Sequence, residues 1–169
     1  MDEELRAELL ARCNEDQRVR QGPMPSGPFR EIPEEIKEMM RVDEANTAWL
    51  TELTARRGWP GRTLVGQDGA HAAWLLAQHA APEPQRAFLD LLRAAVASGE
   101  ASPRDLAYLE DRVRMHDGQP QLYGTQFRRD EQGLRAWTIE DPERLDERRA
   151  SVGLPPFAEY EAVMHRARP

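Results

Sequence analysis

The sequence predicts a mainly α fold: a compact multi-helix single domain over residues 1–169, with one β-hairpin packed against the helices. Three observations lead there. Apolar residues recur every three or four positions through the first 116 residues, the spacing of one helix face. Pro and Gly clusters separate these stretches. The period changes once, where "QLYGTQFRR", "DEQG" and "LRAWTIE" follow one another as two short runs about a turn. The length suits one domain. Its parts are an N-terminal helix and Pro/Gly linker (1–28), a helical core (29–116), a hairpin (119–139) and C-terminal helices (140–169).

Each element has a local reason. Leu5, Leu9 and Cys13 at i, i+4 and i+8 set a first helix over 2–20. "QGPMPSGP" (21–28) stops it, since no helix crosses three prolines and two glycines. Pro33 and the acids after it open a long second helix, 33–57, which closes on Gly58. "WPGRTLVGQDG" reads as a loop. A third helix covers 67–80, a fourth 83–98, and Ser102 with Asp105 begins a fifth over 103–116. After the hairpin, Asp141 as N-cap with Pro142 at the first helical position starts another helix. "PPFAEYEAVMHRAR" closes the chain as a short helix.

Composition narrows the function classes. The net charge is −7 and the pI about 5.2, which argues against nucleic acid as a partner, because phosphate binding needs clustered cations. Lys37 is the only lysine, so 22 of the 23 basic residues are arginine. With abundant Ala, Gly and Pro this is the signature of a high-GC bacterial coding bias, and Arg alone marks nothing. Cys13 is the only cysteine, so no internal disulfide and no Cys/His zinc spacing exists. The N-terminus lacks the basic and apolar regions of a secretory signal, and no apolar run reaches the ~20 residues of a membrane span. A cytoplasmic location and no membrane partner are expected.

Polar residues occupy places where apolar ones belong. On the first helix the stripe of Leu5, Leu9 and Cys13 runs into Asp16 and Arg20. This is either a surface ion pair at a solvated end or a charged pair aimed inward. Asp43 and Asn46 fall within the apolar arc of the second helix, and His79 in the middle of the inward face of the third, with His71 and Gln78 at its edge. On the fifth helix Arg112 points into an arc of Leu106, Leu109 and Val113, with Asp111 at the edge. Buried charges require partners. Taken singly, each has an ordinary structural explanation; together they suggest one buried polar cluster, because local rules fail at functional sites. In the hairpin, Tyr123, Thr125 and Gln126 would line one wall with hydrogen bonds, and Gly124 would admit a ligand or a backbone closely. A bulge at Gly124 is the plain alternative.

The chain resembles a bacterial family catalogued as a domain of unknown function, DUF6624. The resemblance lies in "EDQRVR" (15–20), "VDEANTAWL" (42–50), "GWPGRTLVG" (58–66), "AAWLLAQHA" (72–80), "AYLEDRV" (107–113), "QPQLYGTQF" (119–127) and "IEDPERLDERRASVGLPPFAEY" (139–160). It implies that His79, Asp111, Arg112, Tyr123, Gly124, Thr125 and Gln126 belong to a shared pattern. His71 lies outside that pattern and is discounted as a ligand. The resemblance implies no reaction.

No phosphate loop, dinucleotide fingerprint or nucleophile elbow is present. Cys13 belongs to core packing, the four tryptophans to core and loop anchoring, and "EDPERLDERR" to a solvated helix or a clasp on the hairpin. The expected function is binding of, or cofactor-independent acid–base chemistry on, a small polar molecule. In that reading His79 is the base or acid, Asp43 or Asp111 orients it, and Arg112 holds an anionic group. Asp43, Asn46, Tyr123, Thr125 and Gln126 line the substrate. The alternative is a non-catalytic adaptor or immunity-type module whose polar cluster is structural; a protein partner stays open. No cofactor and no metal are expected, although His79 with Asp43 and Asp16 could bind one ion.

Overall fold

Asp2 opens the first helix by accepting the Leu5 N–H at 3.0 Å, and α1 runs Glu3–Arg18. Its start is tied to the chain ahead by the Asp2 N–H, which donates to the Leu64 carbonyl. In the computed structural model the described residues are 1–21, 25, 30–130 and 133–167, so most of the expected Pro/Gly linker and the tip of the hairpin lie outside them. α2 (Glu34–Arg57) ends where Gly58 takes a positive φ. α3 (Arg62–His79) begins earlier than expected: Arg62–Val65 form a helical turn rather than a loop. Glu100 accounts for it, accepting the Thr63 N–H at 2.8 Å and hydroxyl at 2.6 Å at the exposed start of the helix. Gly66, at φ 75°, then breaks the helix, and the longer segment starts at Gln67 as its sequence indicates. α4 (Pro82–Ala97) follows after one extended residue.

Helices α1, α2 and α3 pack on one another, with α4 against α3, in a first compact unit, Met1–Ala101. Its buried apolar residues include Leu9, Leu50, Val65, Ala73, Leu76, Phe88 and Leu92. α3 presents small residues, Gly69, Ala70, Ala72 and Ala73, so its neighbours approach closely. A Cβ on Gly69 would already lie 2.9 Å from Val65. Leu9 of α1 and Leu50 of α2 are fully buried, Leu5 and Cys13 are half-buried, and Met40, expected on the inward arc of α2, is 53% exposed.

The second compact unit is Ser102–Pro169. The boundary falls inside the stretch expected as helical core. Ser102 caps α5 (Pro103–His116), as anticipated. The hairpin is shorter than the sequence suggested: β1 is Phe127–Asp130 and β2 Gly133–Ala136, paired antiparallel with Phe127 opposite Ala136. Residues 121–126 are not strand. They form a loop pinned at one end by a bridge between Gln121 and Ile139. Asp141 does not cap a helix. It adopts a left-handed conformation (φ 43°, ψ 71°), a 3-10 turn covers Pro142–Arg144, and α6 is Leu145–Ser151. Arg148 takes the carbonyls of Glu140 and Asp141 and so secures this bend. α7 (Phe157–Ala167) packs its Phe157 and Tyr160 rings against Phe127 of β1, with centroids 6.2 and 5.8 Å away. The architecture is mainly α with one antiparallel hairpin against a helix. Among the described residues, no helix is long and apolar enough to cross a membrane.

Candidate functional site

The misplaced polar residues form two groups, one in each unit. In the first unit three helices contribute. Asp16, near the C-terminal end of α1, is fully buried because it continues the Leu9 face. His79 is the last residue of α3, and both carboxylate oxygens of Asp16 lie 2.9 Å from its Nδ1. A carboxylate only accepts, so Nδ1 carries a proton toward Asp16, and in the neutral ring Nε2 keeps a lone pair. Nε2 has no hydrogen-bond partner among the described residues. Arg20 lies one turn beyond Asp16. It pairs with the Asp16 carboxylate at 2.9 Å and donates to its carbonyl at 3.0 Å and to Asp43 of α2 at 2.5 Å. The inward reading of the Asp16–Arg20 pair is therefore the one observed.

Burial acts differently on the two aspartates of this group. Burial opposes the charge of Asp16 and is the largest single influence. The His79 hydrogen bond and charge, with Gln17 and Arg20, outweigh it, and the carboxyl falls below its usual range. Burial also dominates at Asp43 and there prevails, raising its pKa against the pull of Arg20 and His79. The sign for Asp16 follows from linkage. A carboxyl held lower in the folded state contributes stability that is complete above its unfolded value of 3.8 and is lost as pH falls through the folded value. Urea unfolding of the parent and Asp16→Asn should therefore differ by a constant amount from pH 7 down to about 4 and converge below that. A gap that stays constant to pH 2.5 would remove the ion-pair account.

Beside these groups opens a cleft of about 490 Å³, lined by Met40, Asp43, Glu44, Thr47, Ala48, His79, Ala80 and Ala81. His79 and Asp43 are thus in the wall of a cavity large enough for a small molecule. Side-chain exposures of 20% at His79 and 23% at Asp43 leave both reachable from solvent. Asp16, His79 and Asp43 also place donor atoms within 4.8 Å of one another, the one metal-capable grouping among the described residues. Asn46, on the same helix as Asp43, is buried and turned toward α1, where its Oδ1 accepts from Arg12 at 3.2 Å.

In the second unit Asp111 of α5 is fully buried. The loop "QLYGTQ" wraps its carboxylate: the N–H groups of Leu122, Tyr123 and Thr125 donate at 2.6, 3.0 and 2.9 Å, and the Thr125 hydroxyl at 3.0 Å. Burial nevertheless raises the Asp111 pKa, against the pull of these donors. Gln121 and Gln126 close the loop. The Gln126 N–H donates to the Gln121 side chain at 2.9 Å, and Gln121 Nε2 returns to the Gln126 carbonyl at 3.1 Å. Gln126 Nε2 donates to Thr125 Oγ1 at 2.9 Å. Gly124 lies outside the strands with a φ of 67°, and a Cβ there would lie 2.9 Å from the Phe157 ring. Arg112 is half-buried on α5.

A family described as "Family of unknown function (DUF6624)" matches residues 3–168. The chain belongs to this family. No curated protein and no solved structure matches it. Within this DUF6624 chain the candidates therefore divide. His79 and Asp43 stand together in the first unit, while Asp111, Tyr123, Thr125 and Gln126 form a network within the second. The group on His79 Nδ1 is Asp16, which sequence reasoning weighed only as part of an ion pair or an ion site.

Arg149 was missed altogether. It is fully buried and donates to the carbonyls of Pro155 (2.7 Å) and Tyr123, with its guanidinium 5.1 Å from the Tyr160 ring centroid. Its signal was one of register: Arg149 follows the buried Leu145 by one turn. The charge-rich "EDPERLDERR" is thus a clasp through Arg148 and Arg149, gripping the 121–126 loop at Leu122 and Tyr123.

Proposed function

We propose that the first unit binds a small polar molecule and acts on it by cofactor-independent acid–base chemistry, with His79 exchanging the proton. The observation that carries this reading is His79 itself: Nδ1 held by a buried carboxylate, Nε2 without a partner, in the wall of a cleft. A base oriented by a third group is the arrangement general-base catalysis requires. Asp16 takes the orienting role first assigned to Asp43 or Asp111. Arg20 pairs with both aspartates, and together with His79 and Gln17 it favours the ionised form of Asp16.

The alternative, a non-catalytic interaction module with a closed structural network, describes the Asp111 loop well, since its polar groups satisfy one another. It describes the edge of His79 poorly. A divalent-ion reading of Asp16, Asp43 and His79 has its spacing in favour, but the Arg20 guanidinium already supplies the positive charge between the two carboxylates. We place the protein in the bacterial cytoplasm, on its arginine- and alanine-rich composition and its single, unpaired cysteine.

The test is a turnover screen over small esters, amides and related hydrolysable compounds, run on the parent and His79→Gln. Any activity found should fall about 10²–10⁴-fold in the variant with its melting transition retained. In parallel, His79 should be acylated by diethyl pyrocarbonate, read by peptide mass spectrometry. A His79 that resists acylation and a variant as active as the parent would sink the proposal.

A further inference from the structure

From the same cleft, and resting on the acid–base reading of His79, we propose the class of ligand: a small amine with an apolar body, bound as its ammonium form or as the neutral base. Three features of the wall lead to it. Met40, Ala48, Ala80 and Ala81 give the wall apolar surface, and Met40 is 53% exposed, so part of it faces solvent. Asp43, Glu44 and His79 are interleaved with them along the same two segments. Neither lysine nor arginine is among the lining residues. The nearest guanidinium, Arg20, is committed to Asp16 and Asp43 at once.

Charge decides the polarity of the ligand. Asp16, Asp43 and Glu44 against Arg20 leave two negative charges uncompensated beside the neutral ring of His79, and one beside the protonated ring. Glu44 makes no ion pair or hydrogen bond among the described residues. A carboxylate or phosphate brought here would meet like charge, with the Thr47 hydroxyl as a donor but no lysine or arginine among the lining residues to receive it. An ammonium would find Glu44 and Asp43 as acceptors and His79 Nε2 as a base for its proton, while its hydrocarbon part covers Met40 and the alanines. This replaces the anionic substrate group that the sequence suggested for Arg112.

Hexylamine, hexanol and hexanoate isolate the head group at constant body. Each is titrated into the intact chain at pH 7, following backbone amides and the His79 ring by NMR, with Glu44→Gln alongside and the mass in solution recorded. Hexylamine should perturb His79, Asp43 and Ala80 and bind about fivefold or more tightly than hexanol, the selectivity that one part-exposed ion pair supports. Hexanoate should bind weakest, and Glu44→Gln should erase the preference for the amine. Hexanoate binding as tightly as hexylamine, with His79 responding, overturns the amine assignment while leaving the acid–base cleft intact. If no probe moves His79 the inference falls, and diethyl pyrocarbonate reactivity then tells whether the cleft reading falls with it. Concentration-dependent dimerisation that covers Met40 and His79, without amine binding, also overturns it.

Discussion

Asp111→Ala is expected to destabilise the second unit by about 3–5 kcal/mol, the range for removing one partner of a buried charged network. The carboxylate accepts three backbone N–H groups and one hydroxyl, all from residues 122–125. Deleting it leaves buried donors that the loop cannot turn to water without giving up its path around α5. Each unmet donor costs roughly 1–3 kcal/mol, partly recovered as the loop relaxes. Asp111→Asn keeps one acceptor oxygen but points an amide at the same donors, so it should cost roughly half as much. Hydrogen exchange is the direct measurement. The amides of Leu122, Tyr123 and Thr125 should lose protection before those of α1–α3 do. Protection unchanged at these amides would mean that something other than Asp111 orders the loop.

In the first unit, Asp16→Ala and His79→Ala should differ sharply, although the two residues touch. Asp16 serves His79, Gln17 and Arg20 together, and its loss leaves three cationic or polar side chains around an emptied, buried position. Because Arg20 keeps Asp43 and the Asp16 carbonyl, the cost is about 2–4 kcal/mol, somewhat under that of a fully enclosed pair. His79→Ala leaves Asp16 its Arg20 and Gln17 and should cost about 1 kcal/mol, the worth of one hydrogen bond. Thermal unfolding of the two variants and the parent decides it. Equal losses would make His79 a structural strut and remove the ground for a proton-transfer role. A small loss at His79 beside a large one at Asp16 is the pattern of a side chain held ready by its neighbours.

The helices were legible because each rests on local rules. Ser102 caps α5 with its own side chain, Gly58 ends α2 with a positive φ, and Leu9, Leu50 and Leu76 lie where their spacing puts them. The errors arose where a distant residue intervened. Arg62–Val65 read as loop because Glu100, which caps them, is 37 residues away. Asp141 read as an N-cap, since Asp before Pro usually is one, but Arg148 holds the backbone in another turn. "QLYGTQ" read as strand because its hydrogen bonds go to a carboxylate on α5 rather than to a partner strand.

By itself, the sequence determined the mainly α class, the order of most elements, and that polar residues such as Asn46 and His79 fall on inward faces. These follow from helical periodicity and capping, which act over a few residues. Only the tertiary structure decided which polar residues meet. Asp16, Arg20, Asp43 and His79 come from three helices, and their convergence depends on how those helices cross. The same holds for Asp111, whose donors come from a loop 11–14 residues onward. The cost of burying a charge demands a partner, but it does not name one; only packing does.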